Sequence, residues 1–128
     1  MIKAYLTWIS TPYEGESIEI RFRIYKNEEQ IYSDSIIMDY MKPAIVGHMA
    51  TIELLKRLQE HRSDEIIVII NDGSLYESIK GTSATKNKDV QMMSKKVREE
   101  LSRFDNVSFD NISGNHIRLV EWNEILKP

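Results

Sequence analysis

Four apolar residues, Ile18, Ile20, Phe22 and Ile24, alternate strictly with Glu19, Arg21, Arg23 and Tyr25. That period of two predicts a strand over residues 17–26 with one buried face and one wet face. Upstream, Ile2, Ala4, Leu6 and Trp8 fall on one side of residues 2–10, and Lys3, Tyr5, Thr7 and Ile9 on the other. Apolar side chains on both sides toward the end predict a strand covered on two faces there. The turn-like run Thr11-Pro12-Tyr13-Glu14-Gly15-Glu16 separates the two. Asn27-Glu28-Glu29-Gln30 can close a hairpin to a third strand from Ile31 to about Met38. Three sequential strands joined this way make an antiparallel meander.

The pattern then changes period. Pro43 sits where a helix can begin, and Ile45, Val46, Met49, Ile52, Leu54, Leu55 and Leu58 make an apolar arc too wide for a helix covered on one side only. That helix is expected to pack centrally. Glu65-Ile66-Ile67-Val68-Ile69-Ile70 does not alternate, and its short β-branched run predicts a strand buried on both faces, as parallel strands are. It stops at Asn71-Asp72-Gly73-Ser74. The small polar stretch 81–86 reads as a loop before a helix whose stripe is Val90, Met93, Val97, Leu101 and Phe104. So narrow a stripe places that helix on the surface. Residues 106–112 alternate around Val107 and Phe109 as a last short strand, and 115–128 fits strand or helix equally. Met38, Met41, Met49, Met92 and Met93 read as core filler.

Composition limits the class of protein. At 41% hydrophobic and 29% charged, the 128 residues suit one ordinary globular domain spanning 1–128. Without cysteine, disulfides and thiolate metal sites are excluded, which suits a reducing compartment. Met1 to Tyr5 shows no basic leader before an apolar run, and no stretch nears the roughly 18 apolar residues of a membrane span. A cytoplasmic location is expected by default. The sequons at Asn106 and Asn111 carry no weight without a secretion signal.

Net charge is −3, but it is unevenly spread. Between Lys80 and Arg98 stand Lys86, Lys88, Lys95 and Lys96 with Asp89 the lone acid, giving +5 locally and −8 for the remainder. The stretch is either a solvated helix face or a rail for phosphates. No Gly-x-Gly-x-x-Gly run and no Gly-Lys-Ser/Thr ending is present, so a nucleotide cofactor is not expected.

Three motifs carry a resemblance to a family. A fourth strand ends in Asn71-Asp72-Gly73-Ser74-Leu75-Tyr76, Lys86-Asn87-Lys88-Asp89-Val90 enters the following helix, and Ser113-Gly114-Asn115-His116 forms a Gly-His-like loop. With the order strand, strand, strand, helix, strand, helix, strand, the chain resembles ribonuclease H and the related reverse-transcriptase-like domains. The resemblance implies an α/β fold with a five-stranded mixed sheet of order 3-2-1-4-5, strand 2 antiparallel, flanked by helices. It also implies a site. Members of that family cleave the RNA strand of a hybrid with two Mg²⁺ ions held by about four carboxylates. These come from the middle of the first strand, the start of the first helix, the end of the fourth strand and the C-terminal region.

Only Asp72 matches such a position. The first strand reads Leu6-Thr7-Trp8-Ile9-Ser10 and the helix start Ala44-Ile45-Val46-Gly47-His48, both without an acid. Glu53 comes about one and a half turns too late for the helical position. Glu121 or Glu124 could take the C-terminal position, and His116 the loop histidine's. Each also has a plainer reading: Asp72 as a turn-former, Glu53 as a solvated helix residue, His116 as an exposed loop residue. His48 reads as a structural histidine and His61 as a partner of the helix dipole. In the resembled family the segment between the fourth and fifth strands holds the DNA strand, which favours the rail. Lys80, Lys86, Lys88, Lys95 and Lys96 would then contact phosphates and Tyr76 would stack on a sugar or base. The expected function is a catalytically degenerate domain, with no cofactor, that binds an RNA/DNA hybrid or duplex or assists a nucleic-acid-processing protein partner. Two rivals remain. One is an active, divergent Mg- or Mn-dependent nuclease joining Asp72 to Asp39, Glu53, Glu121 or Glu124; the other is a protein-interaction module on the same scaffold.

Overall fold

The computed structural model describes residues 1–9, 13 and 15–128. The turn expected over 11–16, and Ser10 at the end of the first strand, lie mostly outside that set. Strands β1 (Ile2–Ile9), β2 (Ile18–Lys26) and β3 (Glu29–Met38) form the antiparallel meander. Its hairpin turns on Asn27 and Glu28, both at positive φ, as a tight two-residue turn requires. Helix α1 (Pro43–Arg57) leads to β4 (Glu65–Ile70), helices α2 (Gly73–Lys80) and α3 (Lys88–Leu101), β5 (Asn106–Asn111) and α4 (His116–Ile125). The sheet order is β3-β2-β1-β4-β5, with β4 parallel to both β1 and β5.

The sheet has two covered faces of unequal size. Ile2, Ala4, Leu6, Ile20, Phe22, Ile24, Ile66, Val68 and Ile70 point to the face carrying α1, α2 and α3, where they meet Ala50, Leu54, Leu55 and Val97 in the main core. Burying the valine, leucine, isoleucine and phenylalanine side chains among them contributes on the order of 1.5–3 kcal/mol each. On the other face Tyr5, Ile69 and Ile112 pack under Leu119, Trp122, Ile125 and Leu126 of α4 and its end. This explains why β4 has no alternation, since it sits between both layers. Arg21 donates to the Leu126 carbonyl at 2.8 Å and Arg23 to the Lys127 carbonyl at 3.1 Å, tying the end of α4 to β2. Guanidinium groups there also oppose the negative end of the helix dipole. Among the described residues no helix is long and apolar enough to cross a membrane.

Several expectations need correction. Asn71-Asp72-Gly73-Ser74 is not a free turn: Asp72 caps α2, an element absent from the expected order. Residues 116–125 settle as a helix, so His116 begins α4 instead of standing in a loop. Ile9 is 55% exposed and Met92 52% exposed, so neither joins a core. Met92 lies on the solvent side of α3 because Met93, one residue on, takes the buried face.

Candidate functional site

The cleft lies at the carboxyl ends of β1 and β4, neighbouring parallel strands, where ligands settle in open α/β sheets. Trp8 extends from β1 on the helix side of the sheet and packs against the main core. Gly47 lies opposite, in the second turn of α1. A Cβ built on Gly47 would stand 2.8 Å from Trp8 Cζ2, closer than carbon atoms tolerate. Glycine inside a helix costs roughly 0.5–1 kcal/mol against alanine, so its presence here is explained by the indole it admits.

Asp72 reaches the same cleft from the end of β4. Its Oδ1 accepts from Leu75 N at 2.8 Å, satisfying an orphan donor of α2. Beside it His48, 4% exposed, sets Nε2 at 2.9 Å from Ser78 Oγ and 3.2 Å from Ser94 Oγ, and the two hydroxyls bond each other. This polar knot joins α1, α2 and α3. Burial pushes the His48 pKa below its ordinary value; the Asp72 charge and the Ala44 carbonyl pull it back without prevailing. The imidazole is therefore neutral near pH 7.

Two cavities flank Trp8 and Asp72. One, of about 320 Å³, is walled by Gly47, His48, Ser74, Ser78, Ser83 and Thr85 among others. The other, of about 190 Å³, is closed by Thr7, Asn71 and Trp122. A broader hollow of about 630 Å³ at the opposite end of the sheet is lined by Arg57, paired with Asp34, and Lys56, paired with Glu53.

The other candidate acids do not join Asp72 in either cavity. Glu53 Oε1 takes Lys56 Nζ at 3.2 Å. Glu121 lines a pocket with Lys3, Tyr5 and Arg118 under α4, and Glu124 pairs with Lys127 at 3.2 Å. Asp39 and His116 are exposed. Among the described residues no three His, Asp or Glu side chains form a group able to hold a metal ion. Two divalent cations need several anionic oxygens, and here an indole on a glycine fills the space between strand and helix. The described residues there do not fit a two-ion centre. Trp8, Ser78, Ser94 and Trp122 were not singled out by sequence, though a glycine amid apolar helix positions is itself a signal of close approach.

The family model described as reverse transcriptase-like matches residues 29–122, well over half of the chain. The chain belongs to that family. No curated protein matches it by sequence. Among solved structures it is similar to ribonuclease H1 of the archaeon Halobacterium salinarum NRC-1, with TM-score 0.78, 15% identity, and coverage of 89% of this chain and 86% of that one. LC11 ribonuclease H1, isolated from compost by a metagenomic approach, gives TM-score 0.76 at 18% identity over 98% of this chain and 96% of its own, in a complex with an RNA/DNA hybrid. The N-terminal ribonuclease H domain of rv2228c from Mycobacterium tuberculosis gives 0.77 at 9% identity, covering 98% and 89%. At such identities the likeness establishes the shared fold of this reverse transcriptase-like chain.

Proposed function

We propose that this chain is a ribonuclease H-like domain that has given up two-metal hydrolysis and retains contact with nucleic acid. The observation that carries the reading is Trp8 seated on Gly47, an apolar contact between the first strand and the start of the first helix, two elements that carry acids in the resembled family. Asp72 keeps its place at the end of β4 but serves as the cap of α2.

Contact with nucleic acid falls to the basic segment. Lys86, Lys88, Lys95 and Lys96 are all exposed, and none enters an ion pair among the described residues. Lys88, Lys95 and Lys96 stand at positions i, i+7 and i+8 of α3 and so share one face of the helix. Charge gathered on one exposed face favours a phosphate-binding role. Lys80 belongs to the same surface, its Nζ 4.9 Å from the centre of the Tyr76 ring and 3.1 Å from its hydroxyl. Tyr76 packs against the core, so its part is to position Lys80. LC11 ribonuclease H1, of the same fold, is complexed with an RNA/DNA hybrid, which makes a hybrid the first ligand to try.

The test is fluorescence anisotropy with a labelled hybrid at low salt, comparing the protein with Lys86→Glu/Lys88→Glu/Lys95→Glu. Loss of about tenfold or more in affinity supports the reading. Unchanged affinity removes it. A second reading, docking to a protein partner, is favoured by Ile117 and Val120, exposed one turn apart on α4 at 83% and 57%. Ile117→Glu/Val120→Glu would then leave hybrid binding intact while releasing the partner.

A further inference from the structure

Among the described residues, Trp122 Nε1 is a buried side-chain polar atom without a hydrogen-bond partner, whereas His48 has the Ala44 carbonyl for its second ring nitrogen. Trp122 lines the smaller cavity, which shares Trp8 and Asp72 with the larger one. An unmet buried polar atom is costly, and its ordinary explanation is a bound water or ligand. One such atom in a cavity that shares Asp72 with its neighbour points to a polar occupant.

The walls narrow its chemistry. Trp8 supplies an aromatic surface, and Asp72 Oδ2 takes no hydrogen bond among the described residues while Oδ1 is held by Leu75 N. Ser83 Oγ accepts from Thr85 N and Thr85 Oγ1 from Asn87 N, so each hydroxyl keeps its own proton to donate. The cleft therefore sets an acceptor opposite donors beside a stacking surface. No lysine lines it, and the Asp72 charge repels a phosphate. Its volume of about 320 Å³ is near the lower limit of ligand cavities, roughly 300–1,000 Å³, and suits one ring system.

We propose that this cleft receives a single unstacked nucleobase whose edge carries an amino donor beside a ring acceptor, as cytosine and adenine do, stacked on Trp8 and donating to Asp72. The proposal rests on the nucleic-acid reading above and extends it from phosphates to a base. Stacking on an aromatic ring tolerates any base, whereas a carboxylate accepting from an exocyclic amino group selects cytosine over uracil. Lys86, exposed and next in sequence to the wall residue Thr85, would meet the phosphate of the strand that supplies the base.

The experiment compares labelled hexamers of cytidine and uridine by anisotropy at one low salt concentration, with the wild-type protein and Asp72→Asn. Asparagine caps α2 as well as aspartate does, so the fold is kept, but its amide turns an acceptor into a donor. Expected is a preference of about tenfold for the cytidine hexamer, lost or reversed in Asp72→Asn. Equal affinities in both proteins overturn the base cleft and leave the phosphate contact standing. Should neither hexamer bind, the proposed function fails, and cytidine alone is titrated against the indole N–H resonances of Trp8 and Trp122. Movement of those resonances retains the cleft; their constancy overturns it as well.

Discussion

Trp8 and Gly47 are fitted to each other: a methyl group on Gly47 would stand 2.8 Å from the Trp8 ring. Gly47→Ala ordinarily stabilises a helix by about 1 kcal/mol. Here the ring must move, and overpacking of this kind costs about 1–3 kcal/mol. Denaturant titration is expected to show Gly47→Ala destabilising in the wild-type background and stabilising once Trp8 is replaced by Leu. Additive effects of the two substitutions would show that the contact does not couple them.

Asp72 has a structural duty separable from any ligand. Asp72→Ala is expected to lose about 1 kcal/mol of stability, the worth of a helix cap, and Asp72→Asn very little. Equal losses in the two variants, read from urea midpoints, would mean that the charge matters more than the bond to Leu75 N.

His48 ties stability to pH. Its folded pKa lies below the ordinary 6.5, so as pH falls the unfolded chain takes up the proton first. Stability is fully present above about 6.5 and declines as pH falls from there toward the folded pKa. Glu19, held below its ordinary 4.5 by the Ser35 hydroxyl and Arg21, keeps its contribution above that pH and loses it only as pH falls further, so it does not alter the comparison. Urea midpoints at pH 7.5 and 5 are expected to differ in the wild type and to converge in His48→Gln. An unchanged slope in that variant would place the dependence elsewhere.

Arg21→Ala is expected to cost about 1–2 kcal/mol, because it leaves the Leu126 carbonyl without its donor at the end of α4. Hydrogen exchange should quicken first in α4, whose attachment to the sheet depends on few residues. Uniform quickening across the sheet would contradict that assignment.

Strands and the central helix were legible because periodicity records burial directly: β2 alternates over one wet face, and β4 does not because α4 covers its second side. Helix α2 was not legible. It is only eight residues long and anchors through Leu75, Tyr76 and Ile79, and Asn71-Asp72-Gly73-Ser74 imitates a turn until the bond from Leu75 N reveals a cap. Helix α4 was ambiguous because exposed Ile117 and Val120 blur the stripe made by Leu119, Trp122 and Ile125. The missing acids of β1 and α1 could be seen in the sequence. That Trp8 fills the space above Gly47 is a contact between distant segments, and no local pattern announces it.

The most direct test places a labelled RNA/DNA hybrid with the pure protein and Mg²⁺ or Mn²⁺, scoring bound and cut nucleic acid in the same samples across a salt series. The account predicts intact hybrid, bound with a log–log salt slope of about −4 to −5, as five phosphate contacts give. Metal-dependent cleavage that disappears in Asp72→Asn would contradict it.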